Sequence, residues 1–235
     1  MTPVRDDPHD PDPAFAELYT RLPDATDLEP WLTLARGAEP PVLYLGAGAG
    51  RLAVPLSKAG IELVLVDAHP GMVGRLRSRL PGVEVHQSLI ETLELDRRFD
   101  LVMVPSNILN QAELLTAAAA HLAPAGRLAF ELTNPHWLAA GPGSRFKVLR
   151  QDRDNAVVEV EYFDGTIQLG EIRLVWPEAV EDFLAGAGLR LVHLSGNPDA
   201  EVDESPTFYV VAARSSRTRI RPATRSARAR RRRQA

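Results

Sequence analysis

Between residues 41 and 133 the chain alternates short apolar runs with segments of helical length, and this alternation most restricts how it can fold. The runs are "PVLYLG", "IELVLVD", "GVEVHQ", "RFDLVMV" and "GRLAFELT". Interleaved with them are "AGRLAVPLSKAG", "PGMVGRLRSRL" and "QAELLTAAAAHLAP". Runs of this length read as strands and the longer segments as helices. Strands joined by helices need right-handed crossovers, which lay the strands side by side in a parallel sheet. Two of the runs, "RFDLVMV" and "GRLAFELT", are apolar nearly throughout, which indicates burial on both faces.

The flanks follow other patterns. Upstream, "PAFAELYTRL" (13–22) places Phe15, Leu18, Tyr19 and Leu22 at helical spacing. "DLEPWLTLARG" (27–37) reads as a second helix, with Asp27 as its N-cap and Gly37 as its stop. Downstream of Thr133, "FKVLRQDRDNAVVEVEYFDGTIQLGEIRLVW" alternates at period two around the turns "RDN" and Asp164-Gly165. That predicts an antiparallel insertion at about residues 145–176. "PEAVEDFLAGAG" reads as a helix with Pro177 in its first turn. "LRLVHLSG" and "TFYVVAAR" close the fold as a strand pair. The expected fold is α/β: a Rossmann-like open sheet, mostly parallel with an antiparallel last strand, helices on both faces, and a small antiparallel β insertion. Its expected parts are a flexible leader (1–12), one domain (13–213) and a tail (214–235).

Composition narrows the chemistry. The chain has 235 residues with 45% hydrophobic content and no cysteine. One domain of ordinary size fits that length. Disulfides, thiolate metal sites and a catalytic thiol are excluded. No apolar run approaches the ~18 residues that span a bilayer. The start, "MTPVRDDPHDPDP", lacks the basic-then-apolar pattern of a secretory signal, so a cytoplasmic location is expected.

The net charge of −4 conceals a division: ten arginines and no acid lie from Arg214 onward. Without them, 17 basic residues face 31 acidic ones, about −14. The tail has one isoleucine and no aromatic residue, so it reads as disordered. It is either a solvated extension or an arm for nucleic acid or an anionic surface.

The first strand runs into Gly46, Gly48 and Gly50, with Ala47 between the first two. A strand, a glycine turn and a helix together make a nucleotide site. The turn needs positive φ, the backbone must approach the ligand, and the helix N-terminus presents free N–H groups. A dinucleotide fingerprint would place its third glycine or alanine at position 51, which is Arg51. Asp67 ends the next strand, 21 residues after Gly46. A carboxylate there can accept hydrogen bonds from both hydroxyls of an adenosine ribose. Its alternative is a helix cap or a surface acid.

"VLYLGAGAGRLAVPLSKAGIELVLVD" followed by "AHPGMVGRLRSRL" resembles the first motif and its sequel in the class I S-adenosylmethionine-dependent methyltransferases. "VHQSLIETLEL", "RFDLVMVPSNILNQ", "HLAPAGRLAFEL", "FLAGAGLRLVHLSG" and "PTFYVVAAR" resemble that family's later segments, in order. The resemblance covers roughly residues 13–213. It implies S-adenosyl-L-methionine as cofactor, with Gly46, Ala47, Gly48 and Gly50 at its methionine part and Asp67 on its ribose. It puts Ala68 and His69 beside the adenine, Ser88 and Leu89 at the adenine edge, and Pro105 and Ser106 near the methyl donor. Tyr19 would close over the cofactor, or else pack as an amphipathic tyrosine. Two residues depart from the pattern: Tyr44 stands where relatives carry the acid that helps hold the cofactor's ammonium, and Ser88 stands where many have Asp.

Methyl transfer from a sulfonium needs no metal, and some acceptors need a base. His136, in "TNPHWLAAGPG" after the fifth strand, is the candidate base, at the carboxyl edge where such sheets bind ligands. Loop packing or a solvent-facing place is its alternative, and Glu131 and Asn134 are lesser candidates. "NPHW" superficially resembles the motif of amino-group methyltransferases, which follows the fourth strand rather than the fifth. The substrate is expected under the insertion, between Trp137 and Trp176. The resulting expectation is methylation of a small molecule at O, N or C. Its rivals are an RNA or ribosomal-protein methyltransferase docking through the tail, and a non-catalytic S-adenosylmethionine-binding protein.

Overall fold

The computed structural model describes residues 3–196, 201–202 and 205–215. The chain enters through a two-residue strand, β1 (Val4–Arg5), and two helices, α1 (Pro13–Arg21) and α2 (Trp31–Arg36). Next come β2 (Val42–Leu45), α3 (Ala53–Lys58), β3 (Leu63–Asp67), α4 (Pro70–Arg79), β4 (Glu84–Gln87), β5 (Phe99–Val104), α5 (Ala112–Ala120) and β6 (Leu122–Thr133). A short helix α6 (Pro135–Ala139) leads into β7 (Phe146–Gln151), β8 (Asn155–Glu161) and β9 (Ile167–Arg173). Helix α7 (Val180–Gly186) and strands β10 (Leu189–Ser195) and β11 (Thr207–Arg214) complete the described chain.

The main sheet has the order β10-β11-β6-β5-β2-β3-β4. The five strands from β6 to β4 are parallel, and β11 is antiparallel to both β6 and β10. Strand order reverses at β2, which lies between β5 and β3, so the crevice of the sheet opens at the carboxyl end of β2. Both faces are covered, as the apolar runs require. Leu43, Leu45, Val64, Val66, Val102 and Val104 pack on one side. Tyr44, Leu65, Leu101 and Met103 pack on the other, against α2 and α3. Each such side chain stabilises the fold by roughly 1.5–3 kcal/mol.

Local chemistry sets several boundaries. Asp12 caps α1, accepting from the Ala14 N–H at 2.9 Å, with Pro13 in the first turn. The imidazole of His69 caps α4, its Nδ1 accepting from the Gly71 N–H at 3.1 Å. Helix α2 starts later than the sequence suggests. Asp27 accepts from the Glu29 N–H in a turn, Pro30 occupies the N-cap position, and only Gly37 keeps its expected place.

The period-two segment forms a second sheet, ordered β1-β9-β8-β7. Its antiparallel part matches the expected insertion in pattern; β1 does not. The stretch expected to be a flexible leader contains β1, where Val4 and Arg5 pair in parallel with Gln168 and Leu169 of β9 and Val4 is buried. A two-residue strand has no periodicity to read. Arg21 of α1 reaches Asp164, in the β8–β9 turn, at 2.8 Å.

The tail boundary also moves. Arg214 belongs to β11, and its guanidinium donates to the Ala119 carbonyl at 2.7 Å. The arginines from 217 onward, and with them the expected disorder of the tail, lie outside the described residues.

Candidate functional site

The turn after β2 carries three positive-φ glycines: Gly46 at +69°, Gly48 at +57° and Gly50 at +87°. They differ in what requires them. A Cβ on Gly50 would stand 3.0 Å from Leu76 of α4, so this glycine serves helix packing. A Cβ on Gly46 would meet Ile108 Cδ1 at 2.3 Å and lie 3.6 Å from Ser106 Oγ. A Cβ on Gly48 would meet nothing within 4 Å; it would project into open space.

The turn is pinned from the neighbouring strand. The Gly48 N–H donates to Asp67 Oδ2 at 2.7 Å, and the His69 N–H donates to Asp67 Oδ1 at 2.9 Å. Burial raises the Asp67 carboxyl above its ordinary pKa, and these two backbone donors oppose that rise. A carboxylate has about four lone-pair sites, so two remain for further donors.

Beside the turn lies a cleft of about 330 Å³. Of the residues singled out in the sequence for the cofactor, Tyr19, Tyr44, Gly46, Ala47, Gly48, Pro105 and Ser106 line it. Asp67 reaches it through Gly48. Ala68, Ser88 and Leu89 do not line this enclosed part; they stand at the carboxyl ends of β3 and β4, where the Ser88 N–H donates to the Asp67 carbonyl at 3.1 Å. A second hollow, about 250 Å³ between Ile90 and His121, contains none of the glycine-turn residues.

The cleft has features that suit a polar ligand. Ser106 Oγ is buried without a hydrogen-bond partner. Tyr19 packs on Phe15 with ring centroids 4.4 Å apart and lies 6.4 Å from Tyr162 in the β8–β9 turn. Burial, then Tyr162, pushes its phenol up, so it stays neutral. Tyr44 is likewise raised, by burial first and then by the charges of Glu131 and Asp67. Arg51 also lines the cleft, its Nε held by the Pro23 carbonyl at 2.8 Å.

Several lining residues were not expected at the site from the sequence: Trp31 and Asp27 from the start of α2 and the segment before it, Arg51, and Tyr209 from β11. They come from segments distant in the chain. Trp31 and Tyr209 meet edge to face at 5.7 Å.

His136 is elsewhere. It sits in α6, its ring edge-on to Trp176 at 4.9 Å and its Nε2 3.3 Å from Glu178 Oε2. It is not among the cleft-lining residues. Trp137 and Trp176, expected to flank a substrate, have partners of their own: Trp137 packs on Phe146 at 5.3 Å, and Trp176 Nε1 donates to the Arg153 carbonyl at 2.7 Å.

The residues fit S-adenosylmethionine on three counts. Gly48 leaves a cradle that any Cβ would fill, Asp67 keeps free lone pairs for hydroxyl donors, and Ser106 holds an unused hydroxyl. No group of three or more His, Asp or Glu side chains among the described residues is arranged to hold a metal ion. No helix among them is long and apolar enough to cross a membrane.

Comparison with known proteins bears on the fold and the family. Residues 42–126 match the family described as "Methyltransferase domain". An uncharacterized methyltransferase of Mycobacterium tuberculosis is 36% identical over 109 residues, 45% of this chain and 43% of the relative. The match thus spans less than half the length of that curated relative. Among solved structures, the glycopeptide N-methyltransferase MtfA complexed with sinefungin is similar with a TM-score of 0.65, 21% identity, and coverage of 91% of this chain and 100% of that one. The CcbJ methyltransferase from Streptomyces caelestis gives 0.64 and 22%, covering 86% and 96%. An S-adenosylmethionine-dependent methyltransferase from Clostridium acetobutylicum gives 0.63 and 16%, covering 85% and 97%. At these identities the structural likeness is one of fold.

Proposed function

We propose, from the match of residues 42–126 to the methyltransferase-domain family and the fold likeness to S-adenosylmethionine-dependent methyltransferases, that the chain transfers the methyl group of S-adenosylmethionine to a small-molecule acceptor. The observation that carries the reading is the glycine turn pinned to Asp67, with open space over Gly48 beside an orphaned Ser106 hydroxyl. In this reading Asp67 holds the ribose with its remaining lone pairs. Gly46, Ala47 and Gly48 let the backbone approach the methionine part. Ala68, Ser88 and Leu89 border the adenine, Pro105 and Ser106 face the methyl donor, and Tyr19 forms the roof. The cofactor supplies a methyl group already activated on a sulfonium, so transfer is an in-line displacement driven by positioning and exclusion of water. Burial keeps Tyr19 and Tyr44 as neutral phenols, which can donate hydrogen bonds without adding charge.

A small acceptor is supported by the cover over the cleft's edge, where Tyr162 of the β8–β9 turn comes within 6.4 Å of the cleft-lining Tyr19. The fold likeness to a glycopeptide N-methyltransferase points the same way. His136 is not assigned as base, because its neighbours are Trp176 and Glu178 rather than the cleft. The test is incubation of the full chain with methyl-labelled S-adenosylmethionine and separate small-molecule, RNA and ribosomal-protein fractions. Label should enter the small-molecule fraction, and mass spectrometry of the product identifies the acceptor. Label confined to RNA or protein overturns the acceptor class.

A further inference from the structure

Position 44 lacks the acid that the resemblance leads one to expect, yet a carboxylate stands nearby on the same side of the sheet. Tyr44 of β2, Met103 of β5, Ala129 of β6 and Val211 of β11 form one row across four strands. Side chains alternate along a strand, so residues two further on share that face. The next row toward the carboxyl ends therefore runs through Gly46, Pro105, Glu131 and Tyr209. Gly46, Pro105 and Tyr209 all line the cleft, and Glu131, not itself among the lining residues, stands between the last two in the sheet.

The Glu131 carboxylate makes no hydrogen bond or ion pair among the described residues. It keeps some exposed surface, but its carboxyl is ringed by protein, and burial alone pushes its pKa up from 4.5 to about 7. The groups that feel its charge are two phenols, Tyr44 and Tyr209. Asp27 also acts on Tyr209 and Arg51 on Tyr44, and both line the cleft. A carboxylate enclosed without a cation is costly, and removal of the cost requires either a proton or a positive ligand group.

We infer that Glu131 replaces the missing acid at position 44 and holds the α-ammonium group of the cofactor. This rests on the reading of the cleft as the S-adenosylmethionine site. The substitution moves the negative charge two strands along the sheet and one row toward its carboxyl edge, while Tyr44 fills the vacated volume as a packed, neutral side chain. The arrangement explains how a domain of this family tolerates a tyrosine there.

The test is calorimetric titration of the full chain and its Glu131→Gln variant with two probes. One is S-adenosylmethionine, run beside S-adenosylhomocysteine, a neutral thioether that keeps the amino-acid headgroup and should lose affinity in the same way; the other is 5′-methylthioadenosine, which keeps the adenosine and a neutral sulfur but lacks the headgroup. Glu131→Gln should weaken S-adenosylmethionine by about 10- to 100-fold, the loss of one charge-assisted contact, and leave 5′-methylthioadenosine unchanged. Wild-type affinity for S-adenosylmethionine should rise from about pH 6 to about pH 8 as the carboxyl ionises, and the variant's should not. Equal losses for both probes, or none for either, overturn the inference while leaving the cofactor site in place. A folded wild-type protein that binds neither probe overturns both.

Discussion

Replacing Gly48 by alanine separates a glycine that the turn needs from one that a ligand needs. Its φ of +57° lies in the left-handed region, where a Cβ costs roughly 1–2 kcal/mol. No further cost arises within the protein, because the added Cβ meets nothing within 4 Å. For a domain of this size each kcal/mol lowers the melting temperature by about 2–4 °C, so Gly48→Ala should melt about 2–8 °C below wild type. The same Cβ projects into the space assigned to the cofactor. Affinity for S-adenosylmethionine should therefore fall by at least about tenfold, or ~1.4 kcal/mol, beyond any effect on folding. Gly46→Ala is the internal comparison. Its Cβ would stand 2.3 Å from Ile108 Cδ1, so overpacking adds about 1–3 kcal/mol to the strain, and the stability loss should exceed that of Gly48→Ala. Thermal melts and calorimetric titration measure the two quantities independently. A Gly48→Ala protein with the expected melting temperature and unaltered affinity refutes the argument, because the open space over residue 48 would then not be the ligand's.

Three further outcomes follow from particular contacts. Asp67→Ala removes the acceptor for two backbone N–H groups, so it should cost about 1–3 kcal/mol of stability and lower S-adenosylmethionine affinity at least about a hundredfold; unchanged affinity in titration contradicts the ribose assignment. Glu131 keeps its proton in the folded state between pH 4.5 and about 7, where the unfolded chain has lost it, so wild-type stability falls as pH rises across that interval. At 1.36 kcal/mol per pH unit the fall is up to about 3 kcal/mol, less where solvent reaches the carboxyl. Glu131→Gln removes this slope, so denaturant melts should find the variant more stable than wild type at about pH 8 and equal to it at about pH 4; parallel pH profiles contradict it. Truncation after Ser215, which retains the Arg214 contact to Ala119, should leave the melting temperature and small-molecule methylation unchanged, and loss of methylation would give the tail a part in the reaction.

The parallel sheet was legible because its signal is local and repeated. Five apolar runs with helices between them admit few arrangements, and the antiparallel β11 follows from the closing strand pair. The glycine turn and Asp67 were legible because backbone conformation and strand ends write themselves into residue identity. What the sequence hid is what long-range register creates. β1 is too short to show a period, and its partner lies more than 160 residues away. Trp31, Arg51 and Tyr209 meet at the cleft only because α2, the glycine turn and β11 converge there. Glu131 reads in the sequence only as a lesser candidate base near the end of an apolar strand. Its position opposite Tyr209 and beyond Tyr44 depends on pairing across β2, β5, β6 and β11. His136 misled for the converse reason: the carboxyl edge of a sheet is long, and α6 turns toward the second sheet, where Leu138 packs with Ala156 and Val158.

The most direct test of the account is titration of the folded wild-type chain with S-adenosylmethionine, followed by thermal melts with and without it. The account predicts saturable one-to-one binding and a melting temperature that rises with ligand concentration. Absence of binding heat and of any thermal shift, in protein whose circular dichroism shows the α/β fold intact, would contradict it.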